Sequence, residues 1–146
     1  MNIKRYPNKL GIMGWGLGGR WGIERYAYTL HRITGLGILS YFLLHILVTS
    51  SRALGEPAWK AAMNMVHHPV FLVGEYLVFA AFAFHAANGI RLVMIELGWG
   101  IGKPEEPVYP YKTSLNKQRP LLIAVLLVAG IVAFLGIYNL MQLKSF

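Results

Sequence analysis

His85 sits inside an apolar run, Val70 to Ile95, that is long enough to cross a bilayer as a helix. About 20 apolar residues are enough for such a crossing. A histidine well inside a membrane span is costly unless something uses it. The residues after it are small, Ala86, Ala87, Asn88 and Gly89, and Gly89 lies one turn away on the same helix face. A histidine beside a glycine leaves room for a flat, bulky group against the backbone. Haem is such a group, and imidazole is its common axial ligand. The other use is a hydrogen bond to a neighbouring helix, and residue type alone leaves both open.

A second histidine, His45, lies in an earlier apolar run, Ile33 to Ser51. Measured from the midpoints of the two runs, His45 lies about 4–5 Å toward one membrane face and His85 about 7–8 Å toward the other. A depth difference of about 12 Å is too large for one upright haem. Each histidine therefore needs an opposite ligand from another chain. His31 is fourteen residues before His45, only 40° short of four full turns, so His31, Thr34, Ile38, Tyr41 and His45 share a face that should point into a bundle. His31 and Arg32 fall at the edge of the membrane. There a cation can hold a haem propionate or polarise a quinone carbonyl, or Arg32 can simply snorkel to lipid phosphate. Glu75, about 8 Å deep, is either a proton carrier or a snorkelling carboxylate. His67 and His68 precede Pro69 with no third ligand nearby, which reads as a solvated loop pair.

The elements that must hold these residues follow from composition. The chain has 146 residues, 55% hydrophobic and only 14% charged, and a mean hydropathy of +0.47. A soluble domain carries about 25% charged residues. With no cysteine there are no disulfides, thiolate-held clusters or cysteine zinc sites, so a redox centre here must use histidine. The net charge of +8 sits in blocks beside the apolar runs, which argues against nucleic acid as a partner. The expected fold is all-α: three transmembrane helices over about 33–51, 70–95 and 120–143, forming half of a larger heterodimeric bundle, after an N-terminal arm, residues 1–32. The arm is glycine-rich, with a short helix from about Ile23, and Trp15 and Trp21 suit the headgroup region. Residues 52–69 and 100–119 read as loops. Gly130 and Gly136 offer close helix contact in the third span. Eleven of the fourteen Lys and Arg residues fall on the side of the arm and the second loop, which places the N-terminus in the cytoplasm.

Two stretches in this order resemble the cytochrome b membrane anchors of succinate dehydrogenase (succinate:quinone oxidoreductase), of the kind in which two membrane subunits share the anchor. Leu30-His31-Arg32-Ile33-Thr34-Gly35 is similar to that family's H-R-x-[ST]-G. His85-Ala86-Ala87-Asn88-Gly89-Ile90-Arg91, with Glu96, is similar to its H-x3-G-[LIVM]-R-x4-D. The chain departs from the pattern at Tyr28, where serine is common, at Leu92, where His or Phe is common, and at Glu96, which replaces Asp. The resemblance implies that His85 is an axial ligand of haem b, that Arg32 lies at a quinone site, and that His31 lies beside the haem propionates and the quinone. Gly89, Arg91 and Tyr28 border these groups, with Tyr28 able to supply the missing serine hydroxyl. His45 is similar to the first-helix histidine of di-haem anchors, which implies two haems shared with a second membrane-anchor subunit. Further implied partners are an iron–sulfur subunit, a flavoprotein subunit, membrane lipid and a quinone, with menaquinone favoured. The implied place is the inner (cytoplasmic) membrane, and the implied role is electron transfer, with succinate oxidation left to other subunits. Two other readings remain: a haem-free structural anchor, and a haem b subunit of another quinone-linked enzyme such as a hydrogenase or nitrate reductase.

Overall fold

The computed structural model describes Gly11 and residues 22–103, 106, 108, 109 and 113–143. The expected packing of Trp15 and Trp21 falls outside the described residues. The described residues form helices and turns without a strand. Helix α1 is Ile23–Ser50. It begins where the short helix was expected but runs on without a break into the first span. Its polar lead-in does not stop it, because the polar groups bond within the protein. Thr34, for example, donates its hydroxyl to the carbonyl of Leu30, one turn back, at 2.8 Å.

A 3-10 turn, Ser51–Leu54, ends at Gly55, whose φ of 101° suits only glycine. The following stretch, expected to be a loop, contains helix α2, Glu56–Val66. Pro57 in its first turn is pre-set for helix, and Glu56 pairs with Lys60 one turn on at 2.7 Å. The Arg52 guanidinium lies 4.5 Å from the centroid of the Trp59 ring, a cation–π contact that ties the turn to α2.

Helix α3 is Pro69–Glu96 and α4 is Leu115–Leu143. His68 caps α3: its Nδ1 accepts from the amide of Val70 at 3.3 Å. The Nδ1 of His67 contacts the carbonyl of Met63 at 2.7 Å. Both loop histidines thus serve the backbone, and no group of three or more metal-ligating side chains occurs among the described residues. Among the described residues, three helices, Ile23–Leu54, Pro69–Glu96 and Leu115–Asn139, are long and apolar enough to cross a membrane.

Helix α3 is the middle element, packing on α1 along one flank and on α4 along the other. The α3–α4 seam is apolar, with Leu122 and Ala129 buried. Gly136 lies directly against the ring of Phe79, so a side chain there would displace it. Gly130, also expected at a contact, faces open space because it sits off that seam. The α1–α3 seam carries polar groups: Thr34 from α1, with Asn88 and Arg91 from α3, are buried. Leucines such as Leu36, Leu39, Leu43, Leu44 and Leu47 point outward, as lipid-facing side chains do in a bilayer.

Candidate histidine-pair site

The α1–α3 seam brings His31 and His85 together. Their rings stack with centroids 3.9 Å apart and planes inclined by 7°. The Nδ1 of His85 lies 3.0 Å from the carbonyl oxygen of His31 and 3.3 Å from the Thr34 hydroxyl. A carbonyl can only accept, so this contact places the proton on Nδ1 and leaves the lone pair on Nε2. That is the tautomer a metal-ligating histidine needs, with its other nitrogen fixed by a neighbour. The donor set of His85 therefore fits axial ligation of a haem iron.

The His85 ring lies against Gly35 of α1. A Cβ on Gly35 would fall 2.8 Å from Cε1 of His85, whereas one on Gly89 would meet Cε1 of His31 at 3.7 Å. The reason is the tilt of helical side chains toward the N-terminus of their helix, which carries the His85 ring away from Gly89. Gly89 therefore borders the pair through His31.

The stacked pair also fixes relative depth. His31 lies level with His85, on a part of α1 that is already helical well before the apolar run. His45, fourteen residues further along α1, is then about 21 Å from the His85 level along the axis, more than the 12 Å read from span midpoints. Its side chain is exposed, with its ring against Tyr41 at a centroid distance of 5.7 Å. The shared face of α1 is thus covered by α3 at His31, Thr34 and Ile38 and uncovered at Tyr41 and His45. The three helices of this chain do not enclose His45. Glu75 is likewise exposed.

On the outside of α1, Tyr28 is exposed between two guanidiniums, those of Arg25 and Arg32, each 5.4 Å from its ring centroid. Arg91 is the opposite case, only 5% exposed, and its Nε donates to Oδ1 of Asn88 at 3.0 Å. Its charge also interacts with that of Glu24 on α1. Glu24 in turn accepts from Nε of Arg119 on α4 at 2.7 Å. Sequence reasoning missed this link between the first and last spans. The available signal was Glu24 itself, two turns before His31 and on the same face.

The family model for the succinate dehydrogenase/fumarate reductase transmembrane subunit matches residues 15–136. The chain is 28% identical over 121 residues to the succinate dehydrogenase hydrophobic membrane anchor subunit of Halobacterium salinarum, covering 80% of this chain and 87% of that one. It is 30% identical over 77 residues to the succinate dehydrogenase 2 membrane subunit SdhC of Mycobacterium tuberculosis, covering 53% of this chain and 56% of that one. No solved structure matches the chain. With three apolar helices and a match across most of its length, the chain belongs to the succinate dehydrogenase/fumarate reductase transmembrane-subunit family, as a multi-pass membrane anchor that associates with the other subunits of this oxidoreductase complex.

Proposed function

We propose that this anchor binds haem b through His85 and carries electrons from an iron–sulfur subunit to a membrane quinone. The observation that carries the reading is the His85 Nδ1 contact with the His31 carbonyl at 3.0 Å, which leaves Nε2 available as a ligand. Haem b supplies one-electron storage close to the quinone when it is bound. His31, stacked on His85, orients the ligand ring and sits beside the quinone. Arg32 and Tyr28, exposed on the same stretch of α1, offer a guanidinium and a hydroxyl to the quinone carbonyl. Gly89 keeps the seam narrow beside His31, and Arg91 holds charge at its base. His45 serves a second haem, about 21 Å away along the helix, whose remaining enclosure and ligand come from a second membrane-anchor subunit.

The Lys and Arg distribution supports a cytoplasmic N-terminus in the inner (cytoplasmic) membrane, with the iron–sulfur and flavoprotein subunits docking on that side. The flavoprotein subunit oxidises succinate, and this chain takes no part in that step. Menaquinone is the proposed quinone. The hydrogen bond at His85 would also satisfy a purely structural histidine, which is the specific ground for a haem-free anchor as the second reading. Reduced-minus-oxidised spectra of the purified complex separate the two. His85→Ala removes one haem from the spectrum, and a full haem complement in that variant refutes ligation.

A further inference from the structure

The α1–α3 seam contains three buried polar atoms without a hydrogen-bond partner: Oε2 of Glu24, Nδ2 of Asn88 and Nδ1 of His31. Asn88 is only 1% exposed. Its Oδ1 is engaged by Arg91, so the orphaned atom is its amide nitrogen. Buried polar atoms are rarely left unsatisfied, and internal water is the usual partner where protein supplies none.

The three atoms form a ladder. The stacked histidines set a common level for α1 and α3, which run antiparallel. By helix rise, Asn88 lies about 4.5 Å below that level, Arg91 about 9 Å and Glu24 about 10.5 Å. Ala27, about 6 Å below the histidine level on the same face of α1, is buried and presents only a methyl group there. The foot of the ladder opens to solvent at Arg119, whose side chain is 48% exposed beside Glu24 at 16%.

We propose that Glu24, Asn88 and His31 line a short file of internal water that brings protons from the Arg119 end of the bundle to the quinone. The inference rests on the quinone site proposed above. The quinone must be supplied with protons: oxidation of succinate to fumarate releases two electrons and two protons, and reduction of a quinone to a quinol consumes two of each. The electrons arrive through the iron–sulfur subunit, whereas the protons need a separate aqueous path. The groups facing Glu24 are Arg91 from α3 and Arg119 from α4, two cations that pair with its carboxylate. Glu24, held between these two guanidiniums, thus fixes the mouth of the file and offers an acceptor to its first water, while the file itself moves the proton.

The test uses the whole complex with three variants. Asn88→Leu is nearly isosteric and apolar, and it interrupts the file. It lowers quinone-reduction turnover by on the order of 10²-fold, the lower end of what a positioned proton donor supplies, and raises the solvent deuterium isotope effect. Electron delivery from succinate to an artificial water-soluble acceptor and haem content stay at wild-type levels. Asn88→Ser, which keeps a polar group and adds space, retains quinone turnover. Arg32→Leu, which removes a quinone contact, slows quinone reduction without raising the isotope effect. If Arg32→Leu acts but Asn88→Leu leaves turnover and isotope effect unchanged, the water file is overturned and the quinone site stands. If Arg32→Leu has no effect, the quinone site falls and the file with it. Should Asn88→Leu fail to assemble, hydroxyl-radical footprinting of the wild-type complex decides. Phe84, buried on the Asn88 face one turn away, is oxidised by radicals from internal water while buried Leu122 is not. Equal protection of the two overturns the proposal.

Discussion

Replacing Gly35 by alanine tests the geometry of the histidine pair without touching either histidine. The added Cβ would lie 2.8 Å from Cε1 and 3.4 Å from Nδ1 of His85. Carbon atoms in contact settle at about 3.5–4.0 Å, so the ring must retreat by about 0.7–1.2 Å. It cannot slide freely, because His31 is stacked on one face at 3.9 Å. A retreat of that size stretches the 3.0 Å contact to the His31 carbonyl beyond hydrogen-bonding range. The lost bond costs about 0.5–1.5 kcal/mol and the overpacking about 1–3 kcal/mol. Gly to Ala in a helix interior returns about 1 kcal/mol. The net is a destabilisation of roughly 2 kcal/mol, together with a shifted His85 ring. Gly37, one half-turn on in the same helix with nothing within 4 Å of an added Cβ, is the control, and Gly37→Ala keeps only the favourable propensity. Thermal inactivation of the purified complex and its reduced haem spectrum are the two readouts. Gly35→Ala lowers thermal stability and alters the haem band, whereas Gly37→Ala does neither. Matching stability and spectra in the two variants would refute the proposed contact between Gly35 and His85.

Redox titration of the complex should resolve two haem potentials, with one lost in His45→Leu; a single potential unaffected by that substitution removes the second haem. In steady-state assays, Arg32→Leu should slow quinone reduction far more than transfer to an artificial acceptor, and equal loss of both activities counts against a quinone contact. Gly136→Leu drives a side chain into the Phe79 ring and should reduce the yield of assembled complex, while Gly130→Leu, in open space, should not. Equal yields from the two would contradict the α3–α4 packing.

The three helices and the residues around His85 were legible because membrane spans announce themselves by length and apolarity, and because a histidine inside one is costly unless it is used. Depth was harder to read. Setting the start of the first span at Ile33 assumes that polar residues end a membrane helix. Thr34 and Glu24 instead find partners inside the protein, so the helix starts at Ile23 and His31 sits level with His85. The face holding His45 was drawn correctly as a pattern, but pattern does not tell where two helices part company. Helix α2 went unread because its charges, Glu56 and Lys60, resemble those of a loop until their one-turn spacing is considered. The tilt of His85 toward Gly35 is a property of helix geometry that one-turn spacing within α3 conceals.

The Glu24–Arg119 pair joins residues 95 positions apart, and this distance has a consequence for how the protein is made. While the chain is being synthesised, α1 and α3 are complete before Arg119 exists. Through that interval the first counter-charge to reach Glu24 is Arg91 from α3. Arg119 arrives only when the last span enters the membrane, and it can meet Glu24 only if that span enters with its start on the same side as the start of α1. A last span threaded the wrong way would leave Glu24 with Arg91 alone and place Arg119 on the opposite face of the bilayer. The pair thus records, in one contact between ends of the chain, that insertion has finished and that its final crossing ran in the right direction.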